Sequence, residues 1–210
     1  MNKWKQQTLY YITEGERLRR LLQKVFGRSA WTEDPSQEEK ILKKWQNYET
    51  KYKIKITSDN LKEMQRALKY REALKEYKPD VNHLRIIISM SEDEGVDPNL
   101  ALAIISKESS FRENLVSRNR DGSNDYGYFQ LNSKWHKQHR GSLKRHIQTA
   151  LEFIKWCLKA SSNNTRKALS RYNAGSENHP IGLRYADDVI RRRRDIENKY
   201  RSLKNEYFIS

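Results

Sequence analysis

The sequence predicts an all-α protein, and three observations carry that prediction. Nearly every periodic segment repeats its apolar residues at the three- and four-residue spacing of one helical face. Helix start and stop signals punctuate the chain. Alternation with period two is confined to Tyr52-Lys-Ile-Lys-Ile-Thr57, which reads as a short strand or an extended connection.

The elements follow in order. Residues 8–26 place Leu9, Ile12, Leu18, Leu21, Leu22 and Val25 on a helical pattern closed by Gly27, the residue that most readily takes a left-handed cap. Ser36 followed by Glu39 is a capping box, opening a second helix with Ile41, Leu42 and Trp45 on its apolar side. Ser58 or Asp59 starts a third, striped by Leu61, Met64, Leu68 and Leu74 and stopped by Pro79. A fourth runs from Val81 to Glu94 and ends at Gly95, and Asp97-Pro98 then supplies an N-cap and a proline at the first helical position. Residues 117–133 break the helical pattern with a polar, turn-rich run that has room for a tiny hairpin. Ser142 opens another amphipathic helix through Lys159, Thr165 a short one, and Arg184 begins the last, which extends to about Leu203. No internal repeat or low-complexity tract interrupts this series.

Composition bounds the function classes. With 210 residues and 36% hydrophobic content the chain can bury one good core, or one core and a smaller appended layer. The formal charge of +15 favours polyanionic partners: nucleic acid, anionic lipid headgroups or an acidic wall polymer. Arg191-Arg-Arg-Arg194 is a compact basic run that reads first as a solvated helix face rather than a nucleic-acid contact. Cys157 is the single cysteine, so neither an intramolecular disulfide nor a cysteine-based zinc site can form; it falls within the apolar pattern of Ile147, Leu151, Ile154 and Leu158 and reads as a buried small hydrophobe. No cluster of Cys or His implies a metal, and no cofactor is expected. No stretch approaches the roughly 20 apolar residues of a membrane span. Met1-Asn-Lys-Trp-Lys-Gln-Gln lacks the apolar centre of a signal peptide.

One residue breaks the apolar pattern. Leu100, Ile104, Glu108 and Phe111 share one helical face, so a carboxyl stands where the stripe calls for an aliphatic side chain. Burial raises a carboxyl pKa because the charged form loses its hydration, and a Glu so placed could hold a proton near neutral pH and donate it. A Glu satisfied by a buried Arg or a helix N-terminus would produce the same pattern.

Three further segments bear on that choice: Gly122-Ser-Asn-Asp-Tyr-Gly-Tyr-Phe-Gln-Leu-Asn-Ser133, Arg171-Tyr-Asn-Ala-Gly175 and Tyr185-Ala-Asp-Asp-Val189. Together with Glu108-Ser109-Ser110-Phe111, in this order and spacing, they resemble the lytic transglycosylase SLT domain and its goose-type lysozyme relatives, enzymes that cut the glycan strands of peptidoglycan. The resemblance covers about residues 81–200 and leaves the first 80 unmatched. It implies a lysozyme-like catalytic domain over 81–210 after an N-terminal helical region, 1–80, of unread role.

The resemblance also implies roles. Glu108 matches the family's catalytic acid and Ser109 the hydroxyl beside it. Gly127-Tyr-Phe-Gln130 matches the family's Gly-Leu-Met-Gln, with Tyr128 and Phe129 replacing Leu and Met, and puts Gln130 and Asn132 in the saccharide groove. Tyr172 and Asn173 match the Tyr-Asn-Ala-Gly pair near the acid, and Tyr185 the tyrosine of the last motif. Expected substrate-binding residues are therefore Ser109, Tyr128, Gln130, Asn132, Tyr172, Asn173 and Tyr185. Amides and hydroxyls offer the directional hydrogen bonds that sugars need. Plain structural roles stand beside these: Tyr172 as a core tyrosine, Tyr126 and Phe129 as packing residues, Asn132 as a brace for its loop.

Asp125 opens a second route. The run from Asp121 to Trp135 also looks like the corresponding loop of c-type lysozymes, which carry a second acid at this offset from the first. With Asp125 at the scissile bond the pair could run a retaining hydrolysis, the mechanism for which lysozyme is the general type case. Without it, Glu108 would act alone and the sugar's own C6 hydroxyl would close a 1,6-anhydro ring. The transglycosylase outcome is preferred, a hydrolytic lysozyme is the runner-up, and an inactive peptidoglycan- or nucleic-acid-binding module is the rival from another class. The charge suits peptidoglycan's carboxylates, and nucleic acid leaves the four motifs unexplained. A protein partner could dock on the N-terminal helices. Such a substrate implies the cell envelope, reached after removal of a leader, by dedicated export or from a phage.

Overall fold

The computed structural model describes residues 16–21, 35–53, 55–57, 60–136 and 141–203, with only the backbone described over 35–39. These residues are mostly helical, with three short strands. They divide into two units, one running up to Arg66 and the other from Ala67 to Leu203. The turn at Gly27, the capping side chains of Ser36 and Glu39, and the start expected at Ser58 or Asp59 lie outside the described residues.

In the first unit, residues 16–21 are helical (α1) and α2 spans Pro35–Tyr52. Leu18, Leu42, Trp45, Ile56, Leu61 and Met64 are buried there. Of the period-two segment, Tyr52 closes α2, Lys53 lies in a turn, and residues 55–57 form no strand, because side chains take the backbone groups that a strand would pair. Ile56 N donates to Glu49 Oε1 at 2.7 Å, Arg17 Nη1 donates to Ile56 O at 2.7 Å, and Arg17 also pairs with Glu49 at 2.5 Å. Ile56 is buried while Lys55 and Thr57 on either side are exposed. Helix α3, Leu61–Ala73, opens on a reciprocal cap in which Thr57 N donates to Asn60 Oδ1 at 2.8 Å and Asn60 N to Thr57 Oγ1 at 3.3 Å. It ends before the proline expected to stop it.

The second unit is built around α5, Pro98–Glu108, whose residues from Leu100 to Ser106 are all buried. Asp97 caps it, accepting from Asn99 N at 2.9 Å. Helix α4, Val81–Asp93, is capped in the same way by Asp80 and packs on α5. Three antiparallel strands follow, β1 (Val116–Arg118), β2 (Asn124–Tyr126) and β3 (Leu131–Asn132), in the order β1-β2-β3. The expected hairpin is thus a three-stranded sheet, in register with Ser117 opposite Asp125 and Asp125 opposite Asn132.

Helix α6, Leu143–Ala160, starts at the Ser142 cap and buries Cys157 among its apolar residues. Helix α7, Thr165–Ala174, packs between α6 and α8 and closes on Gly175 at φ 70°. Helix α8, Pro180–Ser202, begins earlier than the expected Arg184. His179 caps it and Pro180 occupies the first turn, so Pro-Ile-Gly is a helix start and not a break. Gly182 is required by packing: a Cβ there would lie 2.4 Å from Ser170 Oγ and 2.7 Å from Ser170 O. The basic run of α8 is largely spent on ion pairs. Arg191 and Arg192 reach Asp188, and Arg193 holds Asp97 at 2.6 Å, tying α8 to the N-terminus of α5.

Candidate active site

Glu108 is the last residue of α5, and the chain turns sharply after it. Ser110 and Phe111 both take left-handed φ values, 51° and 60°, which L-residues rarely adopt. The turn is held by Phe111 packing on Tyr77 and by Ser109, whose hydroxyl donates to Ile105 O at 3.1 Å. Strain of about 1–3 kcal/mol per residue is tolerated where surrounding contacts over-determine the conformation. Here it frees the end of α5 to face a cleft of about 1130 Å³ whose lining includes Glu108, Asp125, Asn132, Trp156 and Tyr172.

The electrostatics of Glu108 are set by opposing effects. Burial pushes its carboxyl up, and the negative charge of Asp125 adds to that; a hydrogen bond from Tyr185 and the nearby Lys107 pull it down. Burial wins, and the pKa rises to about 7. The Tyr185 hydroxyl donates to Glu108 Oε1 at 2.5 Å. Lys107 is itself engaged by Asp188 at 2.8 Å. The phenols of Tyr172 and Tyr185 are both held well above their ordinary range, first by burial and then by the Glu108 charge, so each stays a neutral hydrogen-bonding group.

The structure brings six of the nine sequence-predicted residues to the cleft wall: Glu108, Asp125, Gln130, Asn132, Tyr172 and Asn173. Tyr185 reaches Glu108 without lining the cleft, and its ring stacks on Tyr172 at 6.3 Å between centroids. The other two turn elsewhere. Ser109 is 1% exposed and bonded to its own helix. Tyr128 is 3% exposed, with its hydroxyl hydrogen-bonded to His83 Nδ1 at 2.7 Å.

Several wall residues also brace the sheet. The Gln130 amide is spent on Gly127 O, Leu115 O and the Ser117 hydroxyl. Asn132 Nδ2 donates to Asp125 Oδ1 at 2.8 Å and to Ser123 Oγ at 2.9 Å, which fixes the Asp125 carboxylate. Tyr172 donates to Phe129 O at 2.8 Å and so pins α7 to the loop. Gly127, at φ 69°, lets the loop pass His146, whose ring carbon and Nε2 would lie 2.9 Å from a Cβ. No group of three or more His, Cys, Asp or Glu side chains among the described residues is placed to hold a metal ion.

The sequence model of the transglycosylase SLT domain matches residues 85–192, just over half of the chain. The chain belongs to the transglycosylase SLT domain family. No curated protein matches it. The SLT family acts on the glycan strands of peptidoglycan, so the chain is, at that level, an enzyme of the glycan-cleaving class with a lysozyme-like fold. The matched region contains every motif that carried the resemblance, from Glu108 to Tyr185.

The cleft also holds residues that the motifs did not single out. Phe153 and Trp156 stand one helical turn apart on α6 and stack at 5.9 Å, and Phe153 meets Tyr172 at 5.2 Å. Trp135, at 81% exposure, and Arg171 join the wall. Their signal was an aromatic pair at helical spacing on the edge of the apolar face of α6, and a cation directly before Tyr172.

Proposed function

We propose that this SLT-family chain is a peptidoglycan lytic transglycosylase that cleaves the β-1,4 bond between N-acetylmuramic acid and N-acetylglucosamine and leaves 1,6-anhydro-N-acetylmuramic acid ends. The observation that carries the proposal is Glu108, a carboxyl on the cleft wall whose pKa is about 7 and which therefore exists in both protonation states near neutral pH. Efficient acid–base groups have pKa values near the working pH.

Protonated Glu108 donates its proton to the glycosidic oxygen as that bond to C1 breaks and positive charge develops on the sugar. The resulting carboxylate then removes the proton from the C6 hydroxyl of the same sugar as O6 bonds to C1. Glu108 ends protonated, as it began, and no water is consumed. The intramolecular hydroxyl supplies the proximity that a hydrolase must obtain by positioning a water. Tyr185 fixes the carboxyl's direction, Asn173 offers polar groups to the glycan strand and Tyr172 its ring, and Gln130 and Asn132 keep the sheet wall in shape. Ser109 and Tyr128 serve this site by holding the turn and the loop.

A second reading has its own support. Asp125 lines the same cleft, its charge raises the Glu108 pKa, and Asn132 fixes one of its oxygens. A hydrolytic muramidase would use Asp125 to stabilise the charged sugar or to form a bond with it. Release of soluble fragments from purified peptidoglycan tests both readings. Glu108→Gln is expected to abolish release, by about a thousandfold or more on the scale of lost general acid catalysis, and full activity in that variant would overturn the proposal. Asp125→Asn is expected to lose about tenfold; a loss as deep as that of Glu108→Gln would favour the muramidase.

Within this proposal the enzyme works in the cell envelope, where its substrate lies, and residues 81–210 form the catalytic region. Residues 1–80 precede the matched region, and docking of a protein partner is one role open to them.

A further inference from the structure

One corner of the cleft is built differently from the rest. Trp156 is 54% exposed, yet its ring is held parallel to Phe153, with 12° between their planes. The Arg171 guanidinium lies over the Trp156 ring at 5.7 Å. Both residues line the cleft. The contacts Tyr185–Tyr172, Tyr172–Phe153 and Phe153–Trp156 make one chain of rings from the Glu108 carboxyl to this corner. Arg171 is also paired: its Nη2 donates to Glu177 Oε1 at 3.0 Å, and Lys167 Nζ lies 3.9 Å from the other oxygen, Oε2. Glu177 engages Nη2, and Arg171 Nε is buried without a hydrogen-bond partner among the described residues, so the exposed quarter of the side chain, at its guanidinium end, is what a ligand in the cleft can reach.

We propose that Trp156 and Arg171 form a specificity site that reads the carboxylate of the glycan strand: the indole covers a sugar face while the guanidinium takes a carboxylate carried by N-acetylmuramic acid or by its peptide stem. The site rests on the transglycosylase reading and adds to it a means of telling peptidoglycan from neutral N-acetylglucosamine polymers.

Three features support it. A planar guanidinium forms paired, charge-assisted hydrogen bonds with a carboxylate, which a Lys cannot reproduce. Stacking on Trp156 pre-orders the Arg171 side chain, so less rotamer freedom is lost on binding. Glu177 occupies the place of a rival carboxylate: it keeps Arg171 paired when the cleft is empty and must yield part of the fork to the substrate.

The test reads binding separately from turnover, in a Glu108→Gln background. Three soluble ligands are compared: peptide-bearing strands, strands stripped of peptide so that the lactyl carboxylate is free, and N-acetylglucosamine oligomers that have no carboxylate. Arg171→Gln is expected to weaken the carboxylate-bearing ligands about tenfold and to leave the neutral oligomers within about twofold, on the scale of one charge-assisted pair. Arg171→Lys should recover part of the loss. Glu177→Gln should tighten the carboxylate ligands about threefold, because the rival is gone. Whichever of the two carboxylate-bearing ligands shows the larger Arg171 effect identifies the source of the carboxylate.

Equal weakening of all three ligands by Arg171→Gln would mean that Arg171 only supports the fold, and no weakening of any would remove the site; either overturns the inference. Glu177→Gln binding no tighter would overturn it too. Failure of the wild-type chain to cut peptidoglycan, with the Arg171 effects intact, would instead count against the transglycosylase reading alone.

Discussion

Replacing Tyr185 by Phe removes the hydroxyl that donates to Glu108 Oε1 at 2.5 Å and leaves the ring stacked on Tyr172. That hydrogen bond favours the charged carboxylate and opposes the burial that raises Glu108 to about 7. A hydrogen bond to a charged group contributes about 1.5–3 kcal/mol. Glu108 faces an open cleft, so water replaces part of what is lost, and about 1.4 kcal/mol, or about one pKa unit, remains. In the proposed mechanism the free enzyme must carry the proton on Glu108, so kcat/KM falls as pH rises through the Glu108 pKa. The basic limb of the profile, expected near pH 7 in the wild type, should therefore move up by about one unit in Tyr185→Phe. The assay is the rate of fragment release from peptidoglycan across pH 5–9 at constant ionic strength. A limb that stays in place, or that moves down, would refute the assignment of that limb to Glu108 or of the hydrogen bond as its modulator.

Other perturbations test the same structure. The folded chain holds the Glu108 proton up to about pH 7, whereas an unfolded glutamate releases it near 4.5. The fold therefore binds more protons between those values, and this group's contribution is fully present below 4.5 and lost as pH rises through 7. Glu108→Gln should consequently stabilise the chain little at pH 4 and by about 3 kcal/mol at pH 8, seen as a Tm difference that grows with pH; a constant difference would contradict the burial argument. Gly182→Ala drives a methyl to 2.4 Å from Ser170 Oγ and 2.7 Å from its carbonyl oxygen, so α7 and α8 must separate. A loss of about 1–3 kcal/mol by denaturant titration is expected, and an unchanged midpoint would show that the contact can relax.

Local chemistry was legible wherever a residue and its partner lie close together in sequence. Asp97-Pro98 and Ser142 announced their helices, because a cap is made within three residues. Glu108 was legible by its misfit in an apolar stripe. The destination of Tyr128 was not, because its hydroxyl finds its partner on α4, far back in the chain. Ser109 bonds locally, to Ile105 O one turn back, and what stayed hidden was that α5 ends there, in the left-handed turn at Ser110 and Phe111. The start of α8 was set too late at Arg184: His179 caps the helix and Pro180 opens it, and Gly182 sits inside it where Ser170 comes close. The alternation over 52–57 left a strand and a plain connection open, and no strand forms because the backbone of Ile56 is completed by Glu49 and Arg17 side chains and not by a neighbouring strand. Trp156 went unremarked, and Arg171 was named only as the start of a motif, because their meaning lies in meeting each other across two helices.

The central claim is that Glu108 takes its second proton from the sugar and not from water. The most direct measurement digests purified peptidoglycan with the wild-type chain and weighs the released muropeptides. The expected ends are lighter by one water than those of a hydrolysed strand, with no reducing N-acetylmuramic acid formed. Reducing ends alone, at the full hydrolysed mass, would contradict the claim and assign the second step to a water activated with the help of Asp125.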